Sequence, residues 1–509
     1  MARATSPRNR VTTLHKMAVQ PPLVLERGGR VPLAVQISGQ LRAAVSGNRL
    51  RAGERLPSSR VLAASLGVSR TVVTNAYLQL FAEGWLEGRH GSGTYVAQGA
   101  AGGPGTMPRQ TPSPHPADAL PGDGDDGRAL TARRALSPHP ADALPGDGDD
   151  GRALTEMRPG VPWVAGIDQA AWRRAWRRAG AATVSRWPDP RGLLSLRVAL
   201  CGYLRRSRGL GCTPDHVLIT RGVGNGLSLL AAALLRPGER AGIEEPGYPV
   251  GRAILAARGA AVLPCPVDAH GLVASGLPDD LRLVYATPAH QYPLGGRLPV
   301  PRRRALVAWA RAVGAIVVED DYDSEFCYDV APLPALYGMD PDVVAYLGTT
   351  SKTLTPAFGV GWLVARPDLV TELADTRESL GDRTSEAAQH AMLAMIETGD
   401  LDRHIRRMRR EYARRRDVIV SILGDSAVPA RLLGDTAGLH VVLELRNASE
   451  DEVAAAARER GVALHTMQRY FAGPSTTQGL VLGYGSLSLD QVAAAAAVLR
   501  DILVALPAR

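Results

Sequence analysis

Long apolar runs are missing from this 509-residue sequence. Its longest stretches, such as Gly226–Leu235, are about half as long as the roughly twenty residues that a bilayer-spanning helix needs. We therefore expect no membrane protein, and since no apolar run follows the basic N-terminus, no secretion signal. Four scattered cysteines are too few for a disulfide framework or a CxxC metal site. They predict free thiols in a reducing cytoplasm.

Lysine is the other scarcity, because 57 of the 59 basic residues are arginine and only Lys16 and Lys352 are lysine. A guanidinium group stays charged, whereas a lysine amine can lose its proton and attack a carbonyl group to form an imine. Since arginine carries nearly all of the ordinary charge in this chain, the sequence indicates a chemical role for a retained lysine.

The net charge of +9 is unevenly distributed along the chain. Residues 1–97 hold 13 basic and 4 acidic residues, whereas the rest of the chain holds 46 of each sign. At about 150 residues per domain, the chain is also too long for one compact core. A basic head on a neutral body predicts a nucleic-acid-binding module joined to another domain, although a basic disordered tail would give the same balance.

Residues 1–30 are expected to form a basic extension, and residues 31–97 follow the pattern of a winged helix-turn-helix. The predicted elements are a helix over Pro32–Val45, a second helix that Ser58 or Ser59 caps and that ends near Ser65, a turn at Gly67, a third helix over Arg70–Glu83, and a hairpin from Trp85 to Val96. The third helix would be the recognition helix, whose first turn enters the major groove of DNA.

Polar side chains at the start of this recognition helix and on its neighbours are the candidate DNA contacts. Arg70 suits a bidentate bond to guanine, and the others suit phosphates, base edges or the minor groove. The full set is Arg60, Ser69, Arg70, Thr71, Thr74, His90 and Gly91. The alternative is that they are solvated polar residues, which is what a lone arginine would indicate, but together with the turn and the wing they favour DNA binding.

Residues 98–156 are rich in Ala, Pro, Gly and Asp and predict a linker without a core of its own. They contain an identical duplication, in which the 19 residues of Ser113–Thr131 recur at Ser137–Thr155. Two copies are too few for a solenoid. The Asp-Gly-Asp-Asp runs lack the bidentate glutamate of a calcium loop, so we expect no metal there.

Residues 157–509 alternate helical patterns with short apolar strands, which predicts an α/β domain with a mostly parallel sheet. The expected strands are Val217–Thr220, Arg240–Ile243, Ala261–Pro264, Leu283–Ala286, Ala315–Val318, Ala345–Leu347 and Gly361–Val364. Two later strands, Leu439–Leu445 and Gly479–Tyr484, predict a smaller C-terminal subdomain.

Lys352 lies in the segment GTTSKT just after a predicted strand, and the acidic string EDDYD, residues 319–323, follows an earlier strand. A pyridoxal phosphate site needs a lysine for the aldehyde, a carboxylate for the pyridine nitrogen and a donor to the phenolate oxygen. Lys352, Asp320 and Tyr322 match these three requirements.

The remaining parts of such a site are present at other predicted strand ends. The candidates are Arg221, Gly222 and Val223 for the phosphate, Ser351 beside the lysine, Tyr248 to stack on the ring, and His290 to line the pocket. Alone, the glycine-rich loop is more typical of a plain turn, the acidic string of a solvated loop end, and His290 of a structural histidine, whereas Tyr248 is equally consistent with a core tyrosine. Their order along the chain, together with the lone lysine, favours pyridoxal phosphate.

Both halves of the chain resemble known families. The strings LPSSR (56–60), LGVSR (66–70), AEGWL (82–86) and GSGTYV (91–96) resemble the GntR family of bacterial repressors, and RPG (158–160), DPRG (189–192), EDDYDSEF (319–326) and LGTTSKTL (347–354) resemble fold-type I aminotransferases. Joined in one chain, they resemble the MocR subfamily of GntR regulators. The resemblance implies a homodimer and a Schiff base between pyridoxal phosphate and Lys352. It also implies that an amino compound, or pyridoxal phosphate itself, changes how the DNA-binding heads are held.

The sequence departs from the family pattern at two places. Gly359 stands seven residues after Lys352, where members of the family carry an arginine that grips the phosphate, and Arg221 is a hypothetical substitute. Residues 478–481, Gln-Gly-Leu-Val, offer no arginine for a substrate carboxylate. Because that bidentate contact would be lost, an ordinary amino-acid effector and efficient transamination are less expected.

These observations predict a cytoplasmic regulator of transcription that binds double-stranded DNA and senses pyridoxal phosphate or an amino compound at Lys352. Its targets would be genes of vitamin B6 or amine metabolism. Two alternatives stay open. The chain could be an active aminotransferase with a vestigial head, against which the basic charge and the complete wing argue. It could also be a regulator whose body has lost pyridoxal phosphate, an idea that Gly359 favours.

Overall fold

The structure, a computed structural model, describes residues 23, 25–26, 32–46, 49–82, 85–89, 93–97, 154–183, 185–328, 334–446 and 448–505. The predicted wing contacts His90 and Gly91, most of the basic extension, and the linker up to residue 153 lie outside these residues. The described residues form two compact units, one on each side of residues 98–153.

The first unit is a winged helix-turn-helix. Its elements are α1 (Leu33–Ser46), β1 (Arg55–Leu56), α2 (Ser59–Leu66), α3 (Arg70–Ala82), β2 (Leu86–Arg89) and β3 (Gly93–Val96). Strand β3 pairs antiparallel with β2 and with β1. The predicted hairpin is therefore confirmed, and a third short strand extends it.

Local sequence explains where the helices of this unit begin and end. Ser58 Oγ accepts a hydrogen bond from Val61 N at 3.3 Å and caps α2, as the sequence predicts. Gly67 ends the same helix with φ at +60°, a conformation that favours glycine. The apolar stripe of α1 is buried at Ile37 and Leu41, and α1 packs on α3.

The second unit is an α/β domain with a smaller antiparallel subdomain. Its strands are β4 (Thr155–Glu156), β5 (Val217–Thr220), β6 (Arg240–Glu245), β7 (Ala261–Asp268), β8 (Gly271–Leu272), β9 (Leu281–Ala286), β10 (Ile316–Asp321), β11 (Val344–Thr349), β12 (Gly361–Val364), β13 (Ala430–Leu433), β14 (His440–Leu445), β15 (Val462–Ala463), β16 (His465–Thr466) and β17 (Gly479–Gly483). Its helices are α4 (Gln169–Gly180), α5 (Leu194–Arg208), α6 (Val223–Leu234), α7 (Pro249–Ala257), α8 (Val300–Val313), α9 (Pro367–Ser379), α10 (Glu386–Glu397), α11 (Asp400–Leu423), α12 (Glu450–Glu459) and α13 (Leu489–Ala505).

The central sheet has eight strands in the order β5-β12-β11-β10-β9-β6-β7-β8. Strands β11, β10, β9, β6 and β7 pair in parallel, whereas β12 is antiparallel to both of its neighbours. The prediction of a mostly parallel sheet is thus confirmed. Val317 and Val318 belong to different apolar clusters, because successive side chains of a strand point to opposite faces.

The C-terminal subdomain is built on an antiparallel sheet in the order β13-β14-β17-β16, which confirms the predicted smaller subdomain. A separate pair joins β4 in parallel to β15. Residues Thr155–Glu156, which composition assigns to the linker, therefore already pair with the body through backbone hydrogen bonds that composition does not reveal. Within the described residues, no helix is both long and apolar enough to cross a membrane.

Candidate functional site

The predicted cofactor residues gather at one edge of the central sheet. Parallel strands all end at the same edge, so loops that are distant in sequence meet there. Gly222 follows β5, Tyr248 follows β6, His290 follows β9, Tyr322 follows β10, and Lys352 follows β11.

Lys352 is held by a backbone contact. Its Nζ donates a hydrogen bond to Gly160 O at 2.8 Å. Burial lowers the pKa of the Lys352 amine, and the nearby carboxylates of Asp320 and Asp323 only partly oppose this shift. A lower pKa leaves more of the neutral amine, which is the form that attacks an aldehyde.

Asp320 is a buried carboxylate with one satisfied oxygen. Tyr285 donates its hydroxyl hydrogen to Asp320 Oδ2, whereas Oδ1 has no hydrogen-bond partner among the described residues. Burial raises the pKa of Asp320 to about 7, against the opposing effect of the Tyr285 hydrogen bond. A buried oxygen without a donor is unfavourable, so this atom calls for a donor from a bound group. A pyridinium N–H is such a donor, and the residues present therefore fit pyridoxal phosphate.

The His290 ring lies between the Tyr322 hydroxyl and the Asp323 carboxylate. The His290 Nδ1 atom is 3.0 Å from Tyr322 Oη and 2.9 Å from Asp323 Oδ2, and the side chains of all three residues are buried. When Nδ1 is protonated and donates a hydrogen bond to the Asp323 carboxylate, it cannot accept a hydrogen bond from Tyr322. The phenol hydrogen of Tyr322 then stays available to a ligand.

The acidic string around Asp320 is buried, so the alternative of a solvated acidic loop end is wrong. Glu319 accepts two backbone N–H bonds, at 2.8 and 3.0 Å, and Asp321 Oδ2 pairs with Arg208 Nη2 at 2.5 Å. Strand alternation turns Glu319 and Asp321 to the face opposite Asp320. Of the three acidic residues in β10, only Asp320 therefore lies on the face of the lysine.

A pocket suited to an anion lies at the start of α6. Gly222 precedes this helix, and a Cβ added there would lie 3.5 Å from Thr349 Oγ1 and 3.8 Å from Ser351 Oγ. The free backbone amides of a helix N-terminus, here including that of Val223, attract phosphate. Sequence reasoning missed Thr349, although its place two residues before Ser351 was the available signal.

Arg221, the hypothetical substitute for a phosphate-gripping arginine, has a carboxylate partner. Its Nη1 atom lies 2.8 Å from Asp382 Oδ1, and its side chain is 54% exposed. Asp382 Oδ2 also accepts from Arg377 at 3.2 Å. Gly359 ends a turn with φ at +64°, a conformation that favours glycine. The role of Arg221 at the phosphate stays a prediction.

Aromatic rings surround the carboxylates, and sequence reasoning found only some of them. Tyr248 stacks on Tyr285 with ring centroids 6.3 Å apart. Tyr292 packs edge-on against Tyr248, and His440 lies 5.5 Å from His290. Burial lowers the pKa of His440 to about 4, so this ring is neutral. Tyr285 and His440 were missed because they lie inside apolar strands and so look like core residues.

The candidate nucleic-acid interface of the head is exposed. Arg60, Ser69, Arg70 and Thr71 are exposed and Thr74 is half-buried. Ser69 Oγ also accepts a hydrogen bond from Val72 N at 3.4 Å and so caps α3. Neither arginine forms an ion pair or hydrogen bond with a residue that the structure describes, so both cations are available to phosphates or bases.

The profile of the gntR family of bacterial regulatory proteins matches residues 33–96, and that of class I and II aminotransferases matches residues 166–476. The HTH-type pyridoxine biosynthesis transcriptional regulator PdxR of Corynebacterium glutamicum is 36% identical over 93% of this chain and 96% of its own length. The probable rhizopine catabolism regulatory protein MocR of Rhizobium meliloti is 33% identical over 91% of this chain and 92% of its own. The chain belongs to the MocR subfamily of GntR-family transcriptional regulators.

Solved structures show the fold of the body of this MocR-type regulator. An archaeal alanine:glyoxylate aminotransferase covers 69% of this chain and 91% of its own, with a TM-score of 0.64 and 22% identity. The α-aminoadipate aminotransferase LysN of Thermus thermophilus, complexed with N-(5'-phosphopyridoxyl)-L-leucine, covers 69% and 92%, with a TM-score of 0.63 and 25% identity. The body therefore has the fold-type I transferase fold, as predicted, and pyridoxal phosphate is its cofactor.

Proposed function

We propose that this MocR-type regulator senses a ligand at Lys352 and passes the signal to a DNA-binding head. The observation that carries the proposal is the Lys352 amine, whose pKa burial lowers, close to Asp320 with its unpaired Oδ1. Arg60 and Arg70, which are exposed and pair with no residue that the structure describes, provide the means to bind DNA. A homodimer is part of the proposal, because helix-turn-helix proteins commonly bind two half-sites as dimers.

Each candidate cofactor residue of the body has one role in this proposal. When bound, pyridoxal phosphate supplies an aldehyde for amines and a ring that withdraws electrons. Lys352 would hold the aldehyde carbon, Asp320 the ring nitrogen, and Tyr322 the phenolate oxygen, with His290 setting the direction of the Tyr322 hydrogen. The phosphate group would be held by Gly222, Val223, Ser351 and, as a hypothesis, Arg221, and Tyr248 would stack on the ring. An Arg221→Ala variant with unchanged affinity for pyridoxal phosphate would refute the role of Arg221.

In the head, the proposed DNA contacts are Arg60, Ser69, Arg70, Thr71 and Thr74 on the helices and His90 and Gly91 on the wing. Arg70 would bond guanine, and the others would fix the head on the phosphate backbone or the minor groove.

Pyridoxal phosphate itself is the ligand that we propose as the signal, with vitamin B6 genes as targets. Two observations support it. A relative that matches nearly the whole chain is named a pyridoxine biosynthesis regulator, and residues 478–481 provide no arginine for the carboxylate of an amino acid.

DNA affinity with and without the ligand tests this proposal. The full chain would be titrated onto a labelled fragment from upstream of its own gene, with and without pyridoxal phosphate, by fluorescence anisotropy. We expect the ligand to change the Kd of wild type and to leave the Kd of Lys352→Ala unchanged. Linkage requires that DNA change the affinity for pyridoxal phosphate by the same factor. Equal Kd values in both states would contradict the sensor.

An active aminotransferase is the second candidate, favoured by the fold and by the site around Lys352. One assay distinguishes the regulator from the enzyme. The protein with bound pyridoxal phosphate is supplied with an amino-acid donor and a keto-acid acceptor, and turnover is measured. A regulator predicts little or no multiple turnover, whereas sustained turnover that Lys352→Ala abolishes would establish the enzyme.

A further inference from the structure

Two of the four cysteines lie close together in the body, although the sequence predicts only scattered free thiols. Cys201 lies on α5, and Cys212 lies in the loop that joins α5 to β5. Cys212 Sγ donates a hydrogen bond to Cys201 Sγ at 3.5 Å, and both are free thiols. A disulfide bond is roughly 2.0 Å long, so the two sulfur atoms need only a small movement towards each other to form one.

The two thiols are chemically different. The hydrogen bond from Cys212 lowers the pKa of Cys201, to which the nearby Arg197 guanidinium adds, and the same bond raises the pKa of Cys212. Arg197 is buried, and its Nη1 donates to Pro214 O at 3.0 Å, which ties α5 to the segment after Cys212. Cys201 is thus the nucleophile, and Cys212 is a neighbouring thiol that can resolve its oxidised form.

The other two cysteines lack this arrangement. Cys265 and Cys327 are 1% and 7% exposed, and burial raises the pKa of each to about 11. Cys201 and Cys212 are only half-buried. The buried pair therefore provides an internal control within the same chain.

We propose that Cys201 and Cys212 form a modification site that a hydroperoxide oxidises to an intrachain disulfide. The Cys201 thiolate attacks one peroxide oxygen, the O–O bond breaks, and the other oxygen takes a proton and leaves as water or an alcohol. The sulfur of Cys212 then attacks the resulting sulfenic acid. The S–S bond forms as the S–O bond breaks, and the hydroxyl leaves with the Cys212 proton as water. The two thiols lose two electrons in all, and the peroxide gains them.

Peptide mapping of the full-length protein tests this site. The protein is treated with a small excess of hydrogen peroxide, blocked with N-ethylmaleimide under denaturing conditions, digested with trypsin and measured by mass spectrometry. We expect a linked pair, Val198–Arg205 with Gly209–Arg221, that dithiothreitol releases, while the peptides of Cys265 and Cys327 stay alkylated. Without peroxide, N-ethylmaleimide should modify Cys201 in the native protein about tenfold faster than Cys265.

The variants Cys201→Ser and Cys212→Ser should each lose the link, because the disulfide needs both sulfur atoms. The wild-type map decides the question even if a variant does not fold. The proposal is overturned if no link forms, if Cys265 or Cys327 oxidises as fast, or if a non-reducing gel shows that the link joins two chains.

Discussion

The head and the body keep their candidate functional residues in opposite environments. In the head, Arg60 to Thr74 lie within one short stretch of sequence, on a surface open to solvent. In the body, Gly160, Asp320 and Lys352 come from distant parts of the chain and meet at a partly buried site, where only Asp320 is fully buried. DNA brings its own phosphates and base edges to an exposed surface, whereas a small cofactor needs an enclosed site with shifted pKa values.

This difference has an energetic side. The interior of the head consists largely of apolar side chains such as Ile37 and Leu41, whereas Arg60 and Arg70 lie on its surface. The body buries charges, and some of them pair, as Arg208 Nη2 does with Asp321 Oδ2. Changes at Arg60 and Arg70 should therefore alter binding alone, whereas changes in the body should alter both binding and stability.

The largest expected effect is the loss of the covalent cofactor in Lys352→Ala. No other lysine lies in the body, so no neighbouring amine can substitute. The visible absorption of wild type incubated with pyridoxal phosphate, and the adduct that borohydride fixes on the Lys352 peptide, should both be absent from the variant.

DNA affinity in the absence of added ligand is the control for this variant. Lys352→Ala should bind DNA as the ligand-free wild type does, because the head has its own core. An adduct that persists on another residue, Lys16 for example, would contradict the prediction that the cofactor binds covalently only in the body.

Arg70→Ala should weaken DNA binding by about 2 kcal/mol, or roughly thirtyfold, if Arg70 bonds a base. Electrophoretic mobility shift over a protein titration measures the change. Arg205→Ala, which removes an exposed arginine from the body, is the matched control for net charge. Cofactor absorption and melting temperature should stay as in wild type. Equal losses in both variants would mean that only overall charge matters.

Gly160→Ala should slow loading of the cofactor about tenfold, because the added Cβ would lie 2.8 Å from Lys352 Nζ. The φ of Gly160 is +75°, so alanine there also costs about 1 kcal/mol of stability. Gly209→Ala is the matched control, since its φ is +64° and no described atom lies within 4 Å of the added Cβ. Stopped-flow absorbance should separate the two variants, and a Gly209→Ala protein that loads as slowly would contradict the contact.

The smallest expected effect is a pH dependence of the free energy of unfolding that comes from His404. The Nε2 atom of His404 lies 2.7 Å from Thr353 O. Burial lowers the pKa of His404 to about 4, whereas in the unfolded chain it stays near 6.5. Between these values the unfolded chain binds the extra proton, so stability falls as pH falls below 6.5. Relative to His404→Gln, wild type should lose about 1 kcal/mol between pH 7.5 and 5.5 in urea unfolding.

The fold was largely predictable because its signals are local. Ser58, Gly67 and the apolar stripe of α1 each act within a few residues, and the strands of the body stand out as apolar runs. Lys352 and Asp320 could be proposed from residue type and their place after strands. Thr349, Tyr285 and Gly160 were missed, because their relevance lies in a contact with a residue far away in sequence.

By itself, the sequence determined the two-part organisation and the helix-turn-helix, and it singled out Lys352 as the candidate lysine, because periodicity, capping and residue chemistry act over short distances. Only the tertiary structure decided that Asp320 Oδ1 has no donor among the described residues and that Cys201 meets Cys212. Those features depend on which strand edges and loops the packing brings together, and burial, rather than residue type, then sets the charge of each group.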